Sequence, residues 1–218
     1  VMYIWQWQLG DSCTVVGRTW YEFKRFINTL IDHLDKTERL VVYVHNLSFE
    51  FQFLSGQYDF TDDEVFCVES RKILKCDMWA AFEFRCSYKL TNMSLKQFTK
   101  KMNVEHQKLS GEDFDYHKDR YPWTELSDTE LEYCVNDVLG LVEAIKVLMD
   151  RDGDTLQTIP LTSTGYVRRN AKKALRKSKL HHNFVRGIVP DYDLYKAFWQ
   201  QESQIWGFAW QCIDGEWK

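Results

Sequence analysis

The chain opens on a period of two. Val1, Tyr3, Trp5, Trp7 and Leu9 fall on one side of an extended segment, Gly10-Asp11 supplies turn chemistry, and Cys13-Thr14-Val15-Val16 leads back. That pattern predicts a β-hairpin with one strongly apolar face. The period then becomes helical: Trp20, Phe23, Phe26, Ile27, Leu30, Ile31 and Leu34 predict a helix over 19–36 packed on the hairpin. RLVVYVH at 39–45 is an unbroken apolar run, the pattern of a central strand covered on both faces. Between 65 and 88, VFCVES, KILKC and FEFRCSY read as further strands separated by charged turns.

Ser94 can cap a short helix. The strongest helix starts at Ser127, where Ser127 and Glu130 form a capping box and Leu131, Cys134, Val138, Leu141, Val142, Ile145 and Met149 trace one stripe ending near Asp152-Gly153. Residues 155–218 carry a basic helix around 164–179 and an aromatic-rich tail with four of the nine tryptophans, so a boundary is expected near 153–160. Mixed strands and covering helices predict an α/β sandwich, with strand order left open.

Composition changes this picture little. With 218 residues, 44% hydrophobic and 16% aromatic, and only ten Gly and three Pro, the chain is globular rather than disordered or collagen-like. No run approaches the roughly 20 apolar residues a bilayer core requires, and the start at Val1 does not read as a signal peptide, so a cytoplasmic protein without a membrane partner is expected. The six cysteines never fall two apart, which points to buried free thiols rather than a zinc knuckle, and Cys134 fits an apolar stripe. His181 and His182 are adjacent and do not share a helix face.

Charge is more informative. The net value of −4 hides nine acids between Glu112 and Asp137, against Lys118 and Arg120, and eight basic residues with no acid between Thr155 and Pro190. The second stretch can hold a polyanion locally, or be a solvated helix face.

Two segments carry candidate chemistry. In YVHNLSFEFQFL at 43–54, Asn46 ends the apolar run and can cap a helix, while Phe49 and Phe53 lie four apart beside Glu50. A carboxylate at the end of a central strand, next to aromatics and an amide, fits metal binding and base stacking, or an ordinary strand-to-helix turn. In ELEYCVNDVLGLVEAI at 130–145, Tyr133 and Asp137 are four apart and fall at the border of the apolar stripe, where a carboxylate can reach a cleft.

Read together and in order, the two segments resemble the second and third exonuclease motifs of family B DNA polymerases of the protein-primed subgroup found in small phages and linear plasmids. The motifs stand here as Asn46-Leu47-Ser48-Phe49-Glu50 and Tyr133 to Asp137, GEDFDYHKDR at 111–120 resembles the stretch before the third motif, and Ser94-Leu95 resembles the subgroup's single-strand-binding pair. The resemblance covers residues 1 to about 150. It implies a ribonuclease H-like (DnaQ-like) fold, a mixed sheet flanked by helices with a small helical C-terminal extension, and 3′-5′ hydrolysis of a terminal phosphodiester with two divalent metals, Mg2+ or Mn2+. By the same resemblance Glu50 and Asp137 are metal ligands, Tyr133 orients the water and Lys108 is the nearest match to a catalytic lysine. Asn46, Phe49, Ser94, Leu95, Tyr116, His45 and Phe53 are implied contacts to single-stranded DNA at a primer 3′ end.

Two departures shape the expected activity. Glu50 stands where Asp is usual, and the Asp-x-Glu of the first motif is absent; Asp128-Thr129-Glu130 and Asp62-Asp63-Glu64 have similar letters but fall in a capped first turn and a loop. Weak or absent hydrolysis is therefore expected. Val167, Ala171, Ala174 and Leu175 form a narrow stripe that leaves Arg168, Arg169, Lys172, Lys173, Arg176 and Lys179 for a phosphate backbone, and QIWGFAW at 204–210 resembles a degraded linker element of the same polymerases, with Trp206 in the place of Tyr. The expectation is an exonuclease-like domain over 1–153 and a connection over 154–218 toward a polymerase domain, with a terminal protein as a partner of the full-length enzyme. The alternative is a catalytically silent single-strand-binding protein of the same fold, and a third reading is an interaction module unrelated to DNA.

Overall fold

The structure is a computed structural model, and it describes residues 2–109, 115 and 117–178. Tyr116, Lys179, His181, His182, Trp206, Cys212 and the segment 204–210 lie outside the described residues. The chain divides into two compact units, Val1–Gly165 and Tyr166–Lys218.

Strands β1 (Trp5–Leu9) and β2 (Cys13–Gly17) form the antiparallel hairpin, with Trp5 opposite Gly17. That pairing requires glycine: a Cβ on Gly17 would lie 2.2 Å from the Trp5 indole. Trp5 is thereby held against the chain, donating from Nε1 to the Thr19 carbonyl at 3.0 Å. Helix α1 (Trp20–Asp32) starts at a Thr19–Glu22 capping box and ends four residues short of the expected 36. Its Phe23 and Phe26 close on Trp5 and Trp7, and Trp7 also meets Phe82 and Phe84 edge-on.

The larger sheet contains β3 (Leu40–Val44), β4 (Val65–Glu69), β5 (Lys72–Met78) and β6 (Phe82–Cys86) in the order β3-β6-β5-β4. β3 runs parallel to β6, and the other two pairings are antiparallel. The fold is thus mixed α/β, a mixed sheet with flanking helices compatible with a ribonuclease H-like architecture. One expectation is corrected: β3 is not central. It stands at the end of the sheet and is half-buried throughout, because only β6 pairs with it among the described strands. Leu40, Val42 and Val44 join the core, so its apolar run reflects packing of one face more than cover on both.

The remaining described helices are α2 (Leu47–Leu54), α3 (Ser87–Thr91), α4 (Leu95–Met102), α5 (Asp128–Asp152) and α6 (Ser163–Lys177), of which α4 and α5 start at side-chain end signals. Ser94 with Gln97 and Ser127 with Glu130 make capping boxes, and Gly153 closes α5 in the left-handed conformation. Cys76, Cys86 and Cys134 are buried free thiols as expected; Cys13 and Cys67 are free but exposed, because they occupy edge positions on β2 and β4. No helix of the described residues is long and apolar enough to cross a membrane.

Candidate functional site

The buried face of α5 differs from the hydrophobic stripe read in the sequence. Tyr133, Cys134, Gly140, Leu141, Ala144, Ile145 and Leu148 face inward, while Leu131, Val138, Val142 and Met149 are half-buried. Small residues explain the rotation: a Cβ on Gly140 would lie 2.1 Å from the His106 carbonyl oxygen and 3.1 Å from Thr99 Cγ2, so the α4–α5 packing needs the missing side chain. Tyr133 is therefore on the buried face, not its border, and Asp137 sits half-buried one turn further on.

Lys108 reaches Asp137 from the segment after α4. Its Nζ donates to Asp137 Oδ2 at 2.5 Å and lies 4.8 Å from the centre of the Tyr133 ring. Burial alone would lower the lysine's pKa, but its bonds to Asp137 and Tyr133 outweigh that and hold it above its ordinary value. Asp137 is also held above its ordinary value, by burial, even though Lys108 pulls the other way. The two directions are at odds over how well the pair suits its acid. The geometry decides it: only Oδ2 is paired, while Oδ1 is buried without a hydrogen-bond partner.

The end of β3 comes into the same neighbourhood. His45 is pushed down to about 4, first by burial and second by the positive charge of Lys108. Asn46 follows in the left-handed conformation, φ 66°, and its side chain makes no capping bond, contrary to expectation; the backbone turn occupies the role instead, through Phe49 N–H donating to the Asn46 carbonyl at 2.9 Å. Asn46 is exposed, and so is Phe49 at 55%, its ring edge-on to Phe53 at 5.5 Å. Glu50 is solvent-accessible, yet enough protein surrounds its carboxylate to raise its pKa by desolvation. Glu50 makes no ion pair with a described residue.

Ser94 and Leu95 have structural duties. The Ser94 hydroxyl accepts from the Gln97 amide at 3.3 Å, and Leu95 is buried.

No protein-family profile and no curated protein matches the chain. Solved structures do. The chain shares its fold with part of Phi29 DNA polymerase. Against that polymerase complexed with single-stranded DNA, the TM-score is 0.61 at 18% identity, over 78% of this chain and 31% of the polymerase. The binary complex with primer-template DNA gives 0.59 at 17% identity, over the same shares of the two chains. The ternary complex with primer-template DNA and incoming nucleotides gives 0.51 at 18% identity, over 65% and 26%. The chain thus spans under a third of the Phi29 polymerase it matches.

Beyond the fold shared with Phi29 polymerase, the described residues contain one group of three potential metal ligands, Glu105, His106 and Glu143, with ligand atoms within 4.8 Å of one another. None of them stood out in the sequence. Glu143 is already engaged, accepting from the His106 backbone at 3.0 Å and bonding its Nδ1 at 2.5 Å, so it clamps the segment that crosses Gly140. The look-alikes of a first motif are engaged as well. Glu130 pairs with Arg120 and Lys118, and Glu64 accepts from Tyr58 at 2.7 Å. Helix α6, described by itself, has no buried residue; Arg168, Lys172, Lys173 and Arg176 are exposed and Arg169 lies 4.7 Å over the Tyr166 ring.

Proposed function

We propose that the chain is the 3′-5′ exonuclease region of a phage-type, protein-primed DNA polymerase, which holds the single-stranded 3′ end of a primer and hydrolyses it weakly or not at all. The observation that carries this reading is the grouping of Lys108, Tyr133 and Asp137 with His45 on a fold shared with a polymerase known in complex with single-stranded DNA.

The residues fit part of a metal site. A buried carboxylate oxygen with no partner, Asp137 Oδ1, suits one hard cation, and Glu50 offers a second accessible carboxylate. Mg2+ or Mn2+, when bound, supplies Lewis-acid stabilisation of the scissile phosphate and activates water. This chain's own residues do the rest: Lys108 holds Asp137 in place, Tyr133 positions the attacking water, and Asn46, Phe49, Phe53 and His45 receive the frayed strand. Phe49 offers an open ring to stack a base. Ser94 and Leu95 are occupied by capping and packing and contribute the shape of the groove. Residues 1–153 form the exonuclease-like part, 154–218 lead toward the polymerase domain of a longer enzyme, and a terminal protein is the partner of that enzyme. The basic face of α6, with Arg168, Arg169, Lys172, Lys173 and Arg176, contacts the phosphate backbone.

Residues 1–218 by themselves supply no Asp-x-Glu pair of the first motif, so hydrolysis by these residues alone is deficient, because two-metal catalysis needs the charge of those carboxylates to hold both ions. The test is a 5′-labelled oligonucleotide followed by anisotropy and by gel with Mn2+ present. Binding with little or no cleavage is expected. Cleavage at the rate of a complete proofreading enzyme, abolished in Asp137→Ala, overturns the deficiency, and absence of binding overturns the reading as a whole.

A further inference from the structure

Ser87 is fully buried at the first position of α3, and nothing in the motif reading gives it a purpose. Its place follows from sheet register. Parallel pairing sets Val44 of β3 beside Cys86 of β6, so the next residues along, His45 and Ser87, emerge side by side. The Ser87 hydroxyl lies 3.2 Å from the Val44 carbonyl oxygen and 3.0 Å from His45 Nδ1. A hydroxyl has one hydrogen, and a carbonyl can only accept. The hydrogen therefore goes to Val44, and Ser87 Oγ must accept from His45, which puts the imidazole proton on Nδ1. Burial and the Lys108 charge keep the ring neutral, so Nε2 carries a lone pair. No described residue bonds Nε2, which points away from Ser87 on the other side of the ring, with Tyr88 edge-on at 5.8 Å.

We infer that Ser87 is a positioning residue that locks His45 in its Nδ1–H tautomer, so that His45 meets the bound strand as a hydrogen-bond acceptor rather than as a cation for phosphate. The second half of this inference rests on the strand-binding reading above; the tautomer itself does not. The complementary chemistry is a donor on the terminal nucleotide, either a sugar hydroxyl or a base amino or imino hydrogen.

Long-range 1H–15N correlation on histidine-labelled protein tests the lock without any DNA. The wild-type chain should show His45 as one neutral tautomer, protonated at Nδ1, and Ser87→Ala should mix the tautomers or shift the proton to Nε2. Ser87→Cys, of similar volume but a weak acceptor, provides the same comparison if the alanine variant folds poorly. A wild-type His45 protonated at Nε2, or a variant that keeps the wild-type tautomer, overturns the lock. In anisotropy, Ser87→Ala should bind an oligonucleotide with an ordinary 3′ end about threefold to tenfold more weakly, the worth of one hydrogen bond. That loss should vanish for a strand ending in a 3′-deoxy sugar if the hydroxyl is the donor, or for one ending in an abasic sugar if the base is. Equal weakening on all three strands rejects the acceptor role and leaves Ser87 structural. Failure of the wild-type chain to bind any strand, with the tautomer still locked, rejects the strand reading and not the lock.

Discussion

At Asp137, burial and pairing pull in opposite directions, and the proposed metal site depends on the difference. Lys108 satisfies Oδ2 and leaves Oδ1 dehydrated without a partner. The proposed divalent cation at Oδ1 would bind the folded state alone, so Mn2+ should raise the thermal midpoint of the wild-type chain and not that of Asp137→Asn; an equal rise in both removes Asp137 from the metal site. Glu130 is the opposite case. The Ser127 backbone N–H and the Arg120 guanidinium, the latter at 2.5 Å, pull its pKa down to about 2. A lowered carboxylate stabilises the fold above its unfolded pKa near 4.5, and that contribution fades as pH falls from there toward 2. Asp137, held high, works the other way, since its ionised form is the costly one. Urea unfolding between about pH 6 and 3 should show a loss of stability that Glu130→Gln reduces. Glu130→Ala should cost about 3 kcal/mol at neutral pH, because the buried Arg120 guanidinium loses its two hydrogen bonds to the Glu130 carboxylate. The S-x-x-E spacing made Glu130 legible as a cap. Arg120 was not legible as its partner, for the two meet across a ten-residue segment whose path no periodicity encodes.

Among the elements, those with strong local signals were readable and those set by close approach were not. The hairpin, α1, α4 and α5 announce themselves by period and by Thr19, Ser94 and Ser127, and Ser127→Ala should cost about 1 kcal/mol in urea unfolding. What the pattern missed is the rotation of α5 about its axis. Counting apolar residues ignores Gly140 and Ala144, yet these let the helix approach α4 and the segment holding His106. Gly140→Ala is a better helix former by propensity and should still destabilise by about 1–3 kcal/mol, as the inserted methyl drives into the His106 carbonyl. A neutral or stabilising result means that segment can move aside. β3 fails for a related reason: its run of five apolar residues states that the strand is covered but not that a neighbour pairs with it on one side only. The same strand shows how a site escapes a motif. His45 was visible as a neighbour of Asn46, but Ser87 became its partner only through the parallel register with β6.

For the whole molecule, the proposed reading gives charge and aromatic surface separate parts in holding a strand, and salt separates them. Helix α6 carries Arg168, Arg169, Lys172, Lys173, Arg176 and Lys177 with no acid, so in that reading its contribution would be release of counterions from phosphates. Phe49 lies in the other unit on α2, exposed and uncharged, and in the same reading would contribute by stacking. The two respond differently to ionic strength. Binding of a single-stranded oligonucleotide, followed by anisotropy between about 50 and 200 mM salt, should weaken linearly in log–log form, with a slope of about −0.7 for each phosphate neutralised. Replacing Arg168, Lys172 and Lys173 together by Ala should flatten that slope by about 2, while Phe49→Ala should lower affinity by about 1–3 kcal/mol at every salt concentration and leave the slope alone. A triple variant with an unchanged slope places the phosphates elsewhere and leaves α6 a solvated face. A Phe49 variant that alters the slope means the ring orders nearby cations instead of stacking on a base.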